Sequence, residues 1–334
     1  MNMESFGFLI LIFFLAICFD FVNGWTDACN SIATVVSTRV LTPQVAVLMA
    51  AFFNLVGALS GTAVAVTIGK GLVDTEAINL FTIATALLSV IIWSSVATVF
   101  GLPTSESHGL MAGLAGAVIA SAGVKALIWA GWKKVFLGLV FAPIIGFSIG
   151  LLFMVLLLWI FRRFTPGAVG GIFRKFQIVS AAFMAFSHGS NDAQKTMGIM
   201  TLALAIHFHW SSFHVPIWVI LLSATTMGLG TAFGGWKVIR TMGMRITKLE
   251  PIHGFAAETS AALVITAASR IGLPLSTTHI IASGIMGVGA TKRLSAVRWG
   301  VAGNIVLAWI LTFPICGGIS WLFTTIAKHL FFKN

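Results

Sequence analysis

The chain has 334 residues, of which 58% are hydrophobic and 9% charged, with a formal net charge of +11 and a mean hydropathy of +1.02. A soluble globular domain carries about 25% charged residues, so the chain lies far outside that class. The positive balance does not indicate nucleic acid: the Lys and Arg residues fall mostly in short loops between apolar runs, without aromatic interleaving, which is how the positive-inside rule distributes them.

Apolar runs long enough to span a bilayer recur from end to end, since a spanning helix needs about 20 such residues. The alternation of a membrane β-barrel is not seen. The predicted fold is therefore an all-α polytopic membrane protein. The first run, "FGFLILIFFLAICFDFV", has no basic n-region and no A-x-A site after it, so it reads as a retained membrane helix rather than a signal peptide. "GWTDACNSIATVV" follows (Gly24–Val36) and carries Asp27 and Asn30. A charge at the bilayer centre costs at least about 2.5–3.5 kcal/mol, so Asp20, Asp27, Glu106, Asp192, Lys195 and Glu258 are functional candidates. "GLPTSESHGLMAG" starts at Gly101. Next comes "FRRFTPGAVGGIFRK", with Arg162, Arg163, Arg174 and Lys175. It reads as a basic cytoplasmic linker over 161–176, between a first transmembrane repeat, 1–160, and a second, 177–334. The second repeat opens with "HGSNDAQKTMGIM" and continues to "GLPLSTTHIIASG" from Gly272. Cys18, Cys29 and Cys316 all lie in apolar segments and suggest neither a disulfide nor a metal framework.

The two halves carry two signatures in the same order. Asp27 and Asp192 stand 165 positions apart, and Pro103 and Pro274 stand 171 apart. With the linker inside, the basic loops 237–248 and 291–298 also fall inside, and "HFHWSSFH" falls outside. Lys125, Lys133 and Lys134 land outside, against the trend. Each half then holds an odd number of crossings plus a hairpin, which makes the repeats inverted. Inverted repeats with broken helices bind substrate near the midplane, where the repeats meet.

In the "GLP" signatures, Gly permits a break, Pro suits a first helical turn, and Ser and Thr line that turn. Helix starts present free N–H groups that favour an anion. The hydroxyls of Thr104, Ser105 and Ser107, and of Ser276, Thr277 and Thr278, add donors, so two converging starts would cradle a tetrahedral oxyanion. His108 and His279 read as packing residues. Asp27 and Asp192 would repel that anion unless a cation lies between them, and a coupling ion, a bound metal and a proton all stay open. Asp27 with Asn30, and Asn191 with Asp192, offer oxygen ligands suited to a hard cation.

These motifs resemble the duplicated signatures of the inorganic phosphate transporter (PiT) family, whose usual form is close to G-x-N-D-x-x-N-A in each half. The resemblance covers essentially the whole chain. It implies a phosphate symporter of the bacterial inner membrane, multi-pass in the lipid bilayer, homodimeric, without a cofactor and not an enzyme. Asp27, Asn30, Asn191 and Asp192 match the family's ion and phosphate site. Ser105, Ser107, Ser276, Thr277 and Thr278 match its helix-start hydroxyls. Two positions depart: Thr26 replaces Asn, and Lys195 stands where the second copy usually has Asn. "HGSNDAQK" is similar to the low-affinity branch that uses protons rather than sodium and carries phosphate with a divalent metal. Lys195, Asp27, Asp192 and Glu106 are the expected coupling residues. A sulfate permease of the same fold is the alternative. Phosphate can donate a hydrogen bond to a carboxylate and sulfate cannot, which favours phosphate.

Overall fold

A computed structural model describes residues 6–74 and 78–331, and among them it holds twelve α-helices and no strand. The first six are α1 (Phe6–Ser37), α2 (Pro43–Ala58), α3 (Ala63–Lys70), α4 (Leu80–Phe100), α5 (Glu106–Ala122) and α6 (Trp129–Ile160). The second six are α7 (Pro166–His207), α8 (Ile217–Phe233), α9 (Trp236–Arg240), α10 (Pro251–Arg270), α11 (Thr277–Ala290) and α12 (Trp299–Phe331). They match one to one. Five helices are long and apolar enough to cross a membrane, namely α1, α4, α6, α7 and α12. The bent pairs α2–α3 (71°) and α8–α9 (64°) each pass the same test as one broken span.

The repeat is visible in detail. α4 and α10 end on Gly101 and Gly272, at φ +71° and +68°. In each, the next residue's N–H reaches back to a carbonyl five residues earlier: Leu102 to Ala97 at 3.0 Å and Leu273 to Ala268 at 2.9 Å. Glycine takes that left-handed backbone without the Cβ clash, so the same Schellman stop recurs in both halves. After the stop the chain is irregular until Ser105 and Ser276, whose Oγ atoms accept from His108 N (3.3 Å) and His279 N (3.2 Å). These serines are the N-caps. Pro103 and Pro274 therefore lie ahead of the helices rather than in their first turns, and shape the extended entry instead. α6 and α12 each contain one internal proline, Pro143 and Pro314, again 171 apart.

Helices pack across the repeats: α5 on α12, α11 on α6, α1 on α8 and α2 on α7. Trp309 of α12 donates to Pro103 O at 3.0 Å, which braces the first "GLP" turn from the second half. The two inverted-topology repeats are thus interlocked, with broken helices and the α4–α5 and α10–α11 hairpins meeting in the middle.

Two segments differ from expectation. Of the predicted linker, only 161–165 is turn; Pro166 opens the 42-residue α7, with Thr165 accepting from Ala168 N at 3.4 Å as its cap. The basic segment at 237–248 begins as α9 and a π turn rather than a loop, because Val238, Ile239 and Met242 bury an apolar face while Lys237 and Arg240 stay exposed.

Candidate functional site

α1 and α7 cross beside the starts of α5 and α11, and their polar turns meet in a fully buried cluster. Close approach is possible because Gly24 and Gly189, 165 positions apart, lie against neighbouring backbone. A Cβ on Gly24 would stand 2.3 Å from Met227 O, and one on Gly189 would stand 2.1 Å from Asn54 O.

Asp27 and Asp192 face one another across the cluster. Thr278 Oγ1 donates to Asp27 Oδ1 at 3.0 Å, and Thr277 Oγ1 donates to Asp192 Oδ2 at 2.8 Å. Asn30 Nδ2 donates to Thr278 Oγ1 (3.0 Å) and to Thr277 Oγ1 (3.3 Å). Its amide nitrogen faces the site, where an oxygen was expected. The Lys195 ammonium donates to Asp192 Oδ1, to Ser107 Oγ and, at 3.2 Å, to Leu275 O. A carboxylate, a hydroxyl and a carbonyl thus surround one buried cation, which lowers the cost of burying it. Asp27, Asn30, Ser107, Asp192, Lys195, Thr277 and Thr278 therefore share one site.

The remaining predicted residues lie around it. Ser105 and Ser276 are caps. Glu106 accepts from Thr26 Oγ1 (2.9 Å) and Thr104 Oγ1 (3.4 Å) with Oε1, while its Oε2 is buried without a partner. Asn191 turns away from Asp192: its Nδ2 donates to Ser269 Oγ at 2.8 Å, and its Oδ1 has no partner. His108 and His279 pack ring to ring at 4.8 Å, and His279 stacks on Trp309 at 4.0 Å. All four of their ring nitrogens lack a hydrogen-bond partner, so they pack without being satisfied.

Sequence reasoning missed His188. It sits one turn before Asp192, with Nε2 at 3.1 Å from Asp192 Oδ2 and 3.8 Å from Asp27 Oδ2. Its Nδ1 lies 2.9 Å from Asn54 Oδ1, while Asn54 Nδ2 donates to Thr231 Oγ1 at 3.0 Å. The amide oxygen can only accept, so His188 Nδ1 carries a proton and Nε2 is aimed between the two aspartates. One ligand atom each from Asp27, His188 and Asp192 falls within 4.8 Å of the others. A carboxylate–imidazole–carboxylate set of this kind suits a divalent cation, and the Asn54 contact is the outer hydrogen bond that orients such a ligand. The available signal was the i, i+4 spacing to Asp192. A cavity of about 810 Å³ lies among the loops near Asp74 and Trp210 and contains none of these residues.

Fold and site together define an inverted-repeat membrane transporter with a buried, charge-paired centre where the repeats meet. A sequence model of the Phosphate transporter family matches residues 23–169 and again 162–320, one match per half. The chain belongs to that family. It is 48% identical over 320 residues to a "Probable low-affinity inorganic phosphate transporter" of Rhizobium meliloti (strain 1021), covering 95% of this chain and 96% of the relative. A protein of the same description from Bacillus subtilis (strain 168) is 43% identical, with 92% and 93% covered. A solved structure titled "The sodium-dependent phosphate transporter" superposes with a TM-score of 0.90 at 26% identity, over 97% of this chain and 100% of that one.

Proposed function

We propose that the protein is a symporter that imports inorganic phosphate without sodium, driven by protons. The observation that carries this reading is Lys195. Its ammonium sits among Asp192 Oδ1, Ser107 Oγ and Leu275 O, an oxygen set that would otherwise suit a hard monovalent cation. A tethered charge there neutralises Asp192 and leaves no place for an exchangeable sodium ion. Phosphate would enter between the starts of α5 and α11, where the helix N–H groups supply donors and the Ser107, Thr277 and Thr278 hydroxyls would turn to it from Leu275 O, Asp192 and Asp27. The triad of Asp27, His188 and Asp192 supports a divalent metal travelling with the phosphate as cargo.

Radiolabelled phosphate uptake into proteoliposomes tests the reading. Uptake should proceed without sodium, collapse with a protonophore, rise with added divalent metal and be competed by arsenate more than by sulfate. Uptake driven by a sodium gradient alone would overturn it, and equal competition by sulfate would favour a general oxyanion permease. The homodimer implied by the resemblance belongs to the same proposal; a monomeric mass in nanodiscs would remove it.

A further inference from the structure

A second cavity, about 290 Å³, opens where α2 breaks into α3, against α7 and the end of α10. Its lining includes Ser60, Gly61, Ser190, Gln194, Ser269 and Arg270. Arg270 is the sole charged residue among the lining residues, is exposed, and forms no ion pair among the described residues. A guanidinium offers five N–H donors in a planar fork that matches a tetrahedral oxyanion. Gln194 lies across the floor: its Oε1 accepts from Val64 N at 2.8 Å and its Nε2 donates to Ser190 O at 2.6 Å. That uses one of its two amide protons and leaves the second. Behind the lining residue Ser269 lies Asn191, joined to it at 2.8 Å, whose Oδ1 is buried and unpartnered. Asn191 adjoins Asp192, so the cavity leads toward the central site.

The opposite half lacks this arrangement. The repeat places Val99 where Arg270 stands and Thr98 where Ser269 stands. The cation near Val99 is Lys237, which is engaged with Val99 O at 2.8 Å. The repeat match of Arg270 is therefore not a cation, and the lysine beside it is already engaged.

We infer that this cavity is an entry site that captures phosphate before it reaches the centre, with Arg270 as the recruiting charge. This rests on the phosphate reading above, and with the predicted linker inside, the cavity faces outward. Arg270 pairs with the anion, and the second proton of the Gln194 amide adds a donor. A free charge at an otherwise uncharged mouth raises the local anion concentration, an effect that salt screens.

The test uses the full chain with Cys18, Cys29 and Cys316 replaced by alanine. Arg270→Ala should raise KM for phosphate about tenfold, leave Vmax within about twofold and flatten the salt dependence of Vmax/KM; Arg270→Lys should retain most of the wild-type KM. Arg270→Cys should behave like the alanine variant, and a cationic methanethiosulfonate added outside should bring KM back down, whereas an anionic one should not. In detergent, free phosphate should slow labelling of the introduced thiol. Unchanged KM in Arg270→Ala with intact uptake, or equal effects of the two reagents, would overturn the entry site and leave the symport reading standing. Labelling slowed by reconstitution into lipid but not by phosphate would assign Arg270 to a lipid headgroup and overturn it too. If uptake fails in the wild type, the symport reading is what has failed; loss of phosphate protection in detergent would then remove the entry site as well.

Discussion

Asp27, Asp192, His188 and Lys195 divide the labour at the centre by charge. Two buried carboxylates need compensation, and Lys195 provides it for one oxygen of Asp192. Removing that ammonium leaves a buried carboxylate without its partner, which is strongly unfavourable. Lys195→Asn, which replaces the ammonium by a neutral amide, should therefore either fail to accumulate or admit sodium as a replacement. Sodium-gradient-driven uptake by the variant, absent in the wild type, is the expected result, and it is measured in the same proteoliposomes. Asp27→Asn and Asp192→Asn should each reduce concentrative uptake to background while the protein still inserts; near-normal uptake by either would remove that residue from the mechanism. His188→Gln should keep phosphate uptake more nearly than metal-stimulated uptake, because it loses the nitrogen aimed between the aspartates; equal loss of both would argue against metal cargo there. Lys195 was legible in the sequence because a charge inside an apolar segment is costly. His188 was not, because its orienting partner Asn54 is 134 positions away and its repeat match, Asn23, is a different residue type.

Helices here are joined by polar contacts inside the bilayer as well as by shape. Glu258 of α10 is fully buried and accepts from Thr34 of α1, and from Ser180 and, at 3.3 Å, Gln177 of α7. One carboxylate thus fixes three helices. Glu258→Ala would leave the buried donors of Thr34 and Gln177 unpaired, each costing about 1–3 kcal/mol, while Ser180 Oγ could still donate to Gln177 O at 3.1 Å; a clear drop in the thermal unfolding temperature of the purified protein is expected, with Glu258→Gln in between. An unchanged unfolding temperature in Glu258→Ala would mean that water replaces the carboxylate. Shape matters most where Gly189 meets α2: Gly189→Val should abolish the folded, uptake-competent protein, since even a Cβ would lie 2.1 Å from Asn54 O. The elements that the sequence misplaced are the short ones. α9 has five residues, too few to show a helical period, so its lysine and arginine dominated the reading and made it a loop. The "GLP" turns were located correctly, but proline propensity placed Pro103 and Pro274 inside helices that the serine caps start later.

At the scale of the whole molecule, the pairing of α1–α6 with α7–α12 decides orientation. Each half contributes a long first helix, a bent pair, a hairpin and a long last helix. Three crossings and a hairpin return the chain to the side opposite its start, so identical halves must insert in opposite senses. That parity was readable from the order of the motifs, and it is why two "GLP" turns from opposite faces converge on one point. Absolute orientation rests on Lys and Arg, which favour the cytoplasmic side. Arg174, at the start of α7, and Lys237, in α9, should then be inside; His209, in the turn after α7, should be outside. All three are exposed. Single cysteines introduced at these positions in a cysteine-free background should react accordingly: a membrane-impermeant reagent applied to intact cells should modify the one at 209 and spare those at 174 and 237 until the cells are opened. Modification of all three from the same side would contradict the inversion, because α7 alone separates 174 from 209 and its 42 residues extend about 63 Å, enough to carry the chain across a hydrocarbon core of about 30 Å.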